Sequence, residues 1–265
     1  MPNARAKLRS WFHALARPWV RSLIKDKEIW CFQGVRRSGN HACIDWLINA
    51  RLGEAVESEQ LSHYLFYRYT PELIFINSYA QESAIVMLWH VFLNRRALEE
   101  ASILVVSLED ESSELDHFLN LRELAKFHIG ITRLLPNVFS SRIKKMQTER
   151  VKDEGGIGRN FDIDQRVISL FFEARQASMV WHYDSWLTDA FWRKKFLRRL
   201  HLEVDVIPSI TSQGGGSSFG AGDSNRDKRF LKIQCPQELK PMIETVLPEL
   251  SAHEKDITER WLRNS

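Results

Sequence analysis

The chain moves from a strand-like run, Ile29-Trp30-Cys31-Phe32, through Gln33-Gly34-Val35-Arg36-Arg37-Ser38-Gly39-Asn40-His41 into Ile44-Asp45-Trp46-Leu47-Ile48, whose apolar positions have helical spacing. A strand that turns tightly into a helix aims backbone N–H groups and the positive helix end at one point, which favours a phosphate. Gly34 and Gly39 have the spacing of the triphosphatase loop G-x-x-x-x-G-K-[ST]. Asn40 stands where that loop has its lysine, and His41 where it has its magnesium-binding hydroxyl. The loop keeps the means to cradle a phosphate and lacks both groups that a Mg²⁺–triphosphate requires. It therefore suggests a phosphate-binding transferase that works without a metal.

Strand candidates recur at Glu28–Phe32, Leu73–Ile76, Ile103–Leu108 and Phe127–Thr132, with helical patterns over 41–51, 92–101 and 113–126 between them. Such alternation predicts an α/β fold with a central parallel sheet wrapped by helices in three layers. Phe161–Leu200 reads as strongly helical and rich in tryptophan, and Pro236–Arg263 as helical with breaks at Pro241 and Pro248. Eight of the twelve glycines fall in two clusters, Gly155 to Gly158 and Gly214 to Gly222, which read as binding loops or lids.

Two regions are expected, a basic amphipathic helix over 1–27 and one α/β domain over 28–265. Leu8, Trp11, Phe12, Leu15, Trp19, Leu23 and Ile24 recur at three- and four-residue steps, with a break expected near Pro18. Residues 1–25 hold six basic side chains and no acid, whereas the other 240 residues hold 31 basic and 34 acidic groups. The segment either packs on the domain or touches an anionic membrane surface or acidic partner. The near-neutral body argues against nucleic acid as a partner. Cys31, Cys43 and Cys235 are too few and too scattered for a disulfide framework or zinc site. The longest apolar run, Ala84 to Leu93, is too short to span a bilayer, and a cytoplasmic protein is expected.

Arg36-Arg37-Ser38-Gly39-Asn40-His41 resembles the 5′-phosphosulfate loop of sulfotransferases that use 3′-phosphoadenosine 5′-phosphosulfate (PAPS), in particular bacterial members whose loop reads R-R-S-G-N-H. Further marks of that family follow in order. Arg133 and Ser141, eight residues apart, match the pair that binds the 3′-phosphate, and Asn137, Phe139 and Arg142 also fall in place. Leu134-Leu135 replaces the family's Asp-Pro. The segment Val180 to Arg193 resembles the strand-to-helix stretch whose tyrosine, here Tyr183, lies near the adenine. Gly214-Gly215-Gly216-Ser217-Ser218-Phe219 is similar to a G-G-G-S-S-F loop near the 3′-phosphate, which points to Gly215, Gly216 and Ser217. Arg226, Lys228 and Arg229 then either add charge to the phosphate or form a solvated face.

The resemblance spans residues 28 to 230 and implies a P-loop-like sulfotransferase fold, PAPS as sulfuryl donor, its diphosphate PAP as product, and no metal. It places Arg37 beside the bridging oxygen, Arg36 as an auxiliary, Ser38, Gly39 and Asn40 in the anion cradle, and His41 as a further donor. For the base it favours Glu109, at the end of Ile103–Glu109, with Asp110 behind it and His90 as a third candidate. A carboxylate base needs its pKa raised by burial to act near neutrality. Two other readings stand beside this one: a P-loop nucleotide kinase, and a non-catalytic nucleotide-binding domain at a membrane. The acceptor is open among hydroxyls and amines of small molecules or sugars. Tyr64, Phe66, Tyr67, Tyr69 and the Trp-rich 181–192 segment read either as its pocket or as core.

Overall fold

The computed structural model describes residues 16–62, 65–79, 84–110, 120–150, 163–208 and 230–263. Its centre is a seven-stranded sheet: β1 (Glu28–Gly34), β2 (Glu59–Ser62), β3 (Phe66–Thr70), β4 (Leu73–Tyr79), β5 (Ile103–Glu109), β6 (Phe127–Thr132) and β7 (Met179–His182). The order across the sheet is β2-β3-β4-β5-β1-β6-β7. β4, β5, β1, β6 and β7 run parallel, while β2 and β3 join antiparallel to one edge. The sheet is therefore mixed rather than purely parallel. The difference comes from the aromatic stretch Phe66–Thr70, which forms a strand instead of a separate stripe.

Helices cover both faces. They are α1 (16–24), α2 (Asn40–Leu52), α3 (Ala84–Leu93), α4 (Arg95–Glu100), α5 (Leu121–Leu124), α6 (Leu135–Arg150), α7 (Gln165–Glu173), α8 (Tyr183–Thr188), α9 (Ala190–Arg199), α10 (Lys240–Glu244) and α11 (Ala252–Arg263). β5 is buried along its whole length, the pattern of a central strand covered on both sides. Alternation along β1 sends Trp30 and Phe32 to a core with Ile44, Trp46, Leu47 and Ile48 of α2, and Ile29 and Cys31 to a core with Val20, Ile24, Leu88, Val91 and Leu98. Val138, Phe139, Val167, Phe171, Ile243 and Trp261 build a third core from α6, α7 and the C-terminal helices. The result is a helix–sheet–helix sandwich.

Local chemistry departs from the expected pattern at several points. α1 is helical over 16–24 with Pro18 in its first described turn, the residues before it lie outside the described ones, and it packs on the sheet through Val20 and Ile24. Pro241 and Pro248 sit in the first turns of helical segments, where a missing N–H costs nothing, so they start helices rather than interrupt them. The expected helical stretch 161–200 contains β7, whose Trp181 is fully buried on the sheet. Gly130 of β6 has no room for a side chain, since a Cβ there would lie 1.6 Å from the Ala174 carbonyl oxygen. All three cysteines are buried and outside any disulfide, and burial pushes the Cys235 thiol up to about 11. Among the described residues no helix is long and apolar enough to cross a membrane.

Candidate functional site

The parallel register aligns the carboxyl ends of three strands, with Gly34 of β1 beside Glu109 of β5 and Glu109 beside Tyr79 of β4. Ligand sites of open α/β sheets form at this edge. From Gly34 the chain turns through Val35–Gly39 into α2. Two residues of the turn have positive φ, Arg37 at 77° and Gly39 at 109°. A non-glycine residue in that region is strained, and such strain concentrates at functional sites. Gly39 is required twice over: its φ suits glycine, and a Cβ would lie 2.4 Å from Tyr183 Cδ2. It is also the N-cap of α2 and offers no side chain, so no side chain caps that helix end.

The loop side chains are held from below. Arg36 donates its backbone N–H to Asp110 Oδ1 at 2.8 Å, and its guanidinium Nε lies 3.5 Å from Asp110 Oδ2 and 3.9 Å from Glu109 Oε2. Ser38 Oγ is 2.6 Å from the Val35 carbonyl and 2.9 Å from Asn40 Oδ1, and its single proton serves one of them at a time. Asn40 in turn donates from Nδ2 to Glu109 Oε1 at 2.7 Å. His41 is half-buried, set edge-on to Phe75, and its Nδ1 is buried without a hydrogen-bond partner.

Arg133 and Ser141 reach the same loop from β6 and α6. Arg37 Nε donates to Ser141 Oγ at 3.1 Å. Ser141 is the seventh residue of α6 and fully buried, so it approaches from the side of the helix rather than from its start. Arg133, 2% exposed, lies with its guanidinium carbon 4.3 Å from the centre of the Tyr183 ring, the same ring that packs on Gly39. Tyr183, Trp181 and Trp186 are mutual ring neighbours, and both indole N–H groups are buried without a hydrogen-bond partner. The loop, the Arg…Ser pair and the β7–α8 tyrosine thus converge.

Three groups that the sequence left without a role hold this arrangement. Asp184 lies 3.7 Å from Arg133 Nε through Oδ1, accepts the Leu134 N–H at 2.8 Å, and accepts from Asn137 Nδ2 at 3.4 Å. Glu254 of α11 accepts the Leu135 N–H at 3.3 Å and pairs with Arg175 at 2.5 Å. Two carboxylates therefore face the amino end of α6, where the helix dipole favours negative charge. They fill the place that the turn Leu134-Leu135 leaves without an acid of its own. Arg142 NH1 sits 2.8 and 3.0 Å from the two oxygens of Asp110, which has φ 58°. The adjacent Tyr183-Asp184 dipeptide was the one sequence signal for Asp184. Contacts made across 50 residues carry no local signature.

Glu109 and Asp110 diverge. Glu109, 6% exposed, faces Asn40 and Arg36, whereas Asp110 is occupied by Arg142 and the Arg36 backbone. His90 belongs elsewhere, on α3, with its ring stacked on Phe66. Of the aromatic stretch, Phe66 is core, Tyr67 stacks on Phe75, and Tyr69 donates to Asp45 at 2.5 Å. Tyr64, Gly215, Gly216, Ser217, Arg226, Lys228 and Arg229 lie outside the described residues. His182, beside this cluster, has its pKa lowered by burial first, then by Arg175 and Arg133, against the opposing pull of Asp184 and Glu254. Among the described residues no three His, Cys, Asp or Glu side chains form a metal-binding group. Comparison with protein-family models, with curated protein sequences and with solved structures found no match.

Proposed function

We propose that the chain is a sulfotransferase that moves a sulfuryl group from PAPS to a hydroxyl or amine of a small-molecule or carbohydrate acceptor. The observation that carries this reading is the convergence of Arg37, Ser141, Arg133 and Tyr183 around Gly39. The residues present suit a ligand with two separated anionic groups and a flat ring. An uncapped helix start and four guanidinium groups border the loop, and two buried indole N–H groups stand beside it.

PAPS, when bound, would supply the sulfuryl group and a nucleotide 5′-phosphate as its leaving group. Arg37 holds a positive charge at the loop at any working pH, and its fork geometry suits phosphate oxygens. Its hydrogen bond to a neutral hydroxyl, Ser141, fixes the guanidinium without consuming its charge. Arg133 supplies the second cationic site, with Tyr183 as the wall against which a ring can stack. Asn40, His41 and the first-turn N–H groups of α2 supply further donors. Glu109 is the base: buried, at the sheet edge, and kept in place by Asn40, it takes the acceptor proton. Arg36 serves as an auxiliary, orienting Glu109 and tied to Asp110.

A thermal-melt panel, free of metal except in the Mg·ATP arm, tests the reading. PAP raises Tm more than equal concentrations of 5′-AMP or Mg·ATP if the two-anion site is real. A larger shift with Mg·ATP overturns it in favour of phosphoryl chemistry.

A further inference from the structure

Helix α3 is apolar on both sides. Leu88 and Val91 are buried against the sheet, yet Trp89, Phe92 and Leu93 are 59%, 56% and 55% exposed and Val86 is 37% exposed. A helix packed by one face ordinarily turns polar residues to water. Trp89 stacks on Phe92 at 5.9 Å, and Phe92 lies 6.4 Å from Trp19 of α1, so one aromatic row crosses from α3 to α1. Contiguous exposed apolar surface of this kind marks a partner or a membrane.

The surrounding charge selects the partner. Arg95 and Arg96, both exposed, follow Leu93 directly, and Lys25 is exposed at the end of α1. Arg17 and Arg21 lie half-buried on α1. Asp26, 3.8 Å from Lys25, Glu99, 3.2 Å from Arg95, and the exposed Glu100 offset part of this charge. The described residues 16–27 and 84–100 nevertheless hold six basic side chains against three acidic ones. A second copy of the chain would set these cations against themselves, whereas a surface of lipid phosphates complements them.

We propose that the α1–α3 face docks in the plane of an anionic lipid surface, with Trp89, Phe92, Leu93 and Trp19 entering the headgroup boundary. Arg95, Arg96 and Lys25 meet the lipid phosphates there. Tryptophan suits that depth because its ring is apolar while its N–H remains wet. This docking is independent of the nucleotide site, and its test does not require turnover.

The experiment is sedimentation of the full chain with sucrose-loaded vesicles of phosphatidylcholine alone and of phosphatidylcholine with 30% phosphatidylglycerol. The chain co-sediments with the anionic vesicles, and raising the salt weakens the binding. W89S/F92S lowers the partition coefficient about tenfold or more, since both rings lose their burial in lipid. R95Q/R96Q lowers it on anionic vesicles only. Because these side chains are exposed, the variants keep the wild-type Tm and the wild-type response to PAP. No sedimentation with anionic vesicles, or equal sedimentation of W89S/F92S, overturns the proposal. A dimer in solution that W89S/F92S dissolves also overturns it, in favour of a copy-to-copy interface.

Discussion

Arg37 and Ser141, 104 residues apart in the chain, meet through one hydrogen bond of 3.1 Å between guanidinium Nε and hydroxyl. The bond joins the loop after β1 to the helix after β6, across two neighbouring parallel strands of the sheet. Nothing local to either residue determines it. Arg37 reaches Ser141 because the loop adopts a positive φ at Arg37 and because Arg142, the next residue of α6, is pinned by Asp110.

Gly39→Ala is expected to abolish nucleotide binding and to destabilise the fold by about 2 kcal/mol, from the backbone strain at φ 109° and the collision with Tyr183. Gly53→Ala is the control. Gly53 has φ 80° but nothing within 4 Å, so only the backbone penalty of about 1 kcal/mol remains and binding is untouched. Urea unfolding and PAP titration of the two variants separate the contributions.

Asp110→Asn leaves Arg142 and Arg36 buried beside a neutral group. Breaking a buried ion pair from one side costs about 3 kcal/mol, readable as a lower urea midpoint at unchanged slope. Asp110→Asn with Arg142→Met is expected to cost less than the sum of the two single changes, because the uncompensated charge is then gone.

His182 predicts a pH dependence of stability. Burial lowers its pKa below the ordinary 6.5, so the folded chain holds the ring neutral while the unfolded chain protonates it first. The unfolded state therefore binds more protons below pH 6.5, and stability falls as the pH drops from there toward the folded-state pKa. His182→Gln removes that slope. Melts from pH 7.5 to 5.5 check it, and an unchanged slope in the variant assigns the effect to another group.

Glu109→Gln keeps an oxygen to accept from Asn40 Nδ2 but loses the proton-accepting charge. PAP affinity is expected to hold while transfer to an acceptor from a small-molecule panel falls by roughly 10² to 10⁴. A variant that transfers at the wild-type rate removes Glu109 from the role of base.

Much of this arrangement is legible in the sequence where one element carries the whole signal. Ile103–Val106 is a continuous apolar run, Phe127, Ile129 and Ile131 alternate as a strand requires, and the Gly34-to-Gly39 turn announces itself by spacing. The antiparallel β2–β3 edge was not legible. Glu59–Ser62 is short and polar, and the aromatics of Phe66–Thr70 have a core or a pocket as equally natural fates. Within the site, Arg133 and Ser141 were visible by their spacing, whereas Asp184, Glu254 and the Asp110–Arg142 pair were not. Those acids act on residues brought near only when the sheet and α11 have assembled. The outward apolar face of α3 was likewise hidden, since a short apolar run reads as core until its exposed side is seen.

The most direct test is calorimetric titration of the metal-free chain with PAP, run beside 5′-AMP and Mg·ATP and repeated with Arg133→Ala. Tight binding of PAP, weak binding of the other two, and loss of that preference in the variant are predicted, because Arg133 supplies the second anion site beside Tyr183. Tighter binding of Mg·ATP than of PAP, or a PAP preference that survives Arg133→Ala, would contradict the proposed site.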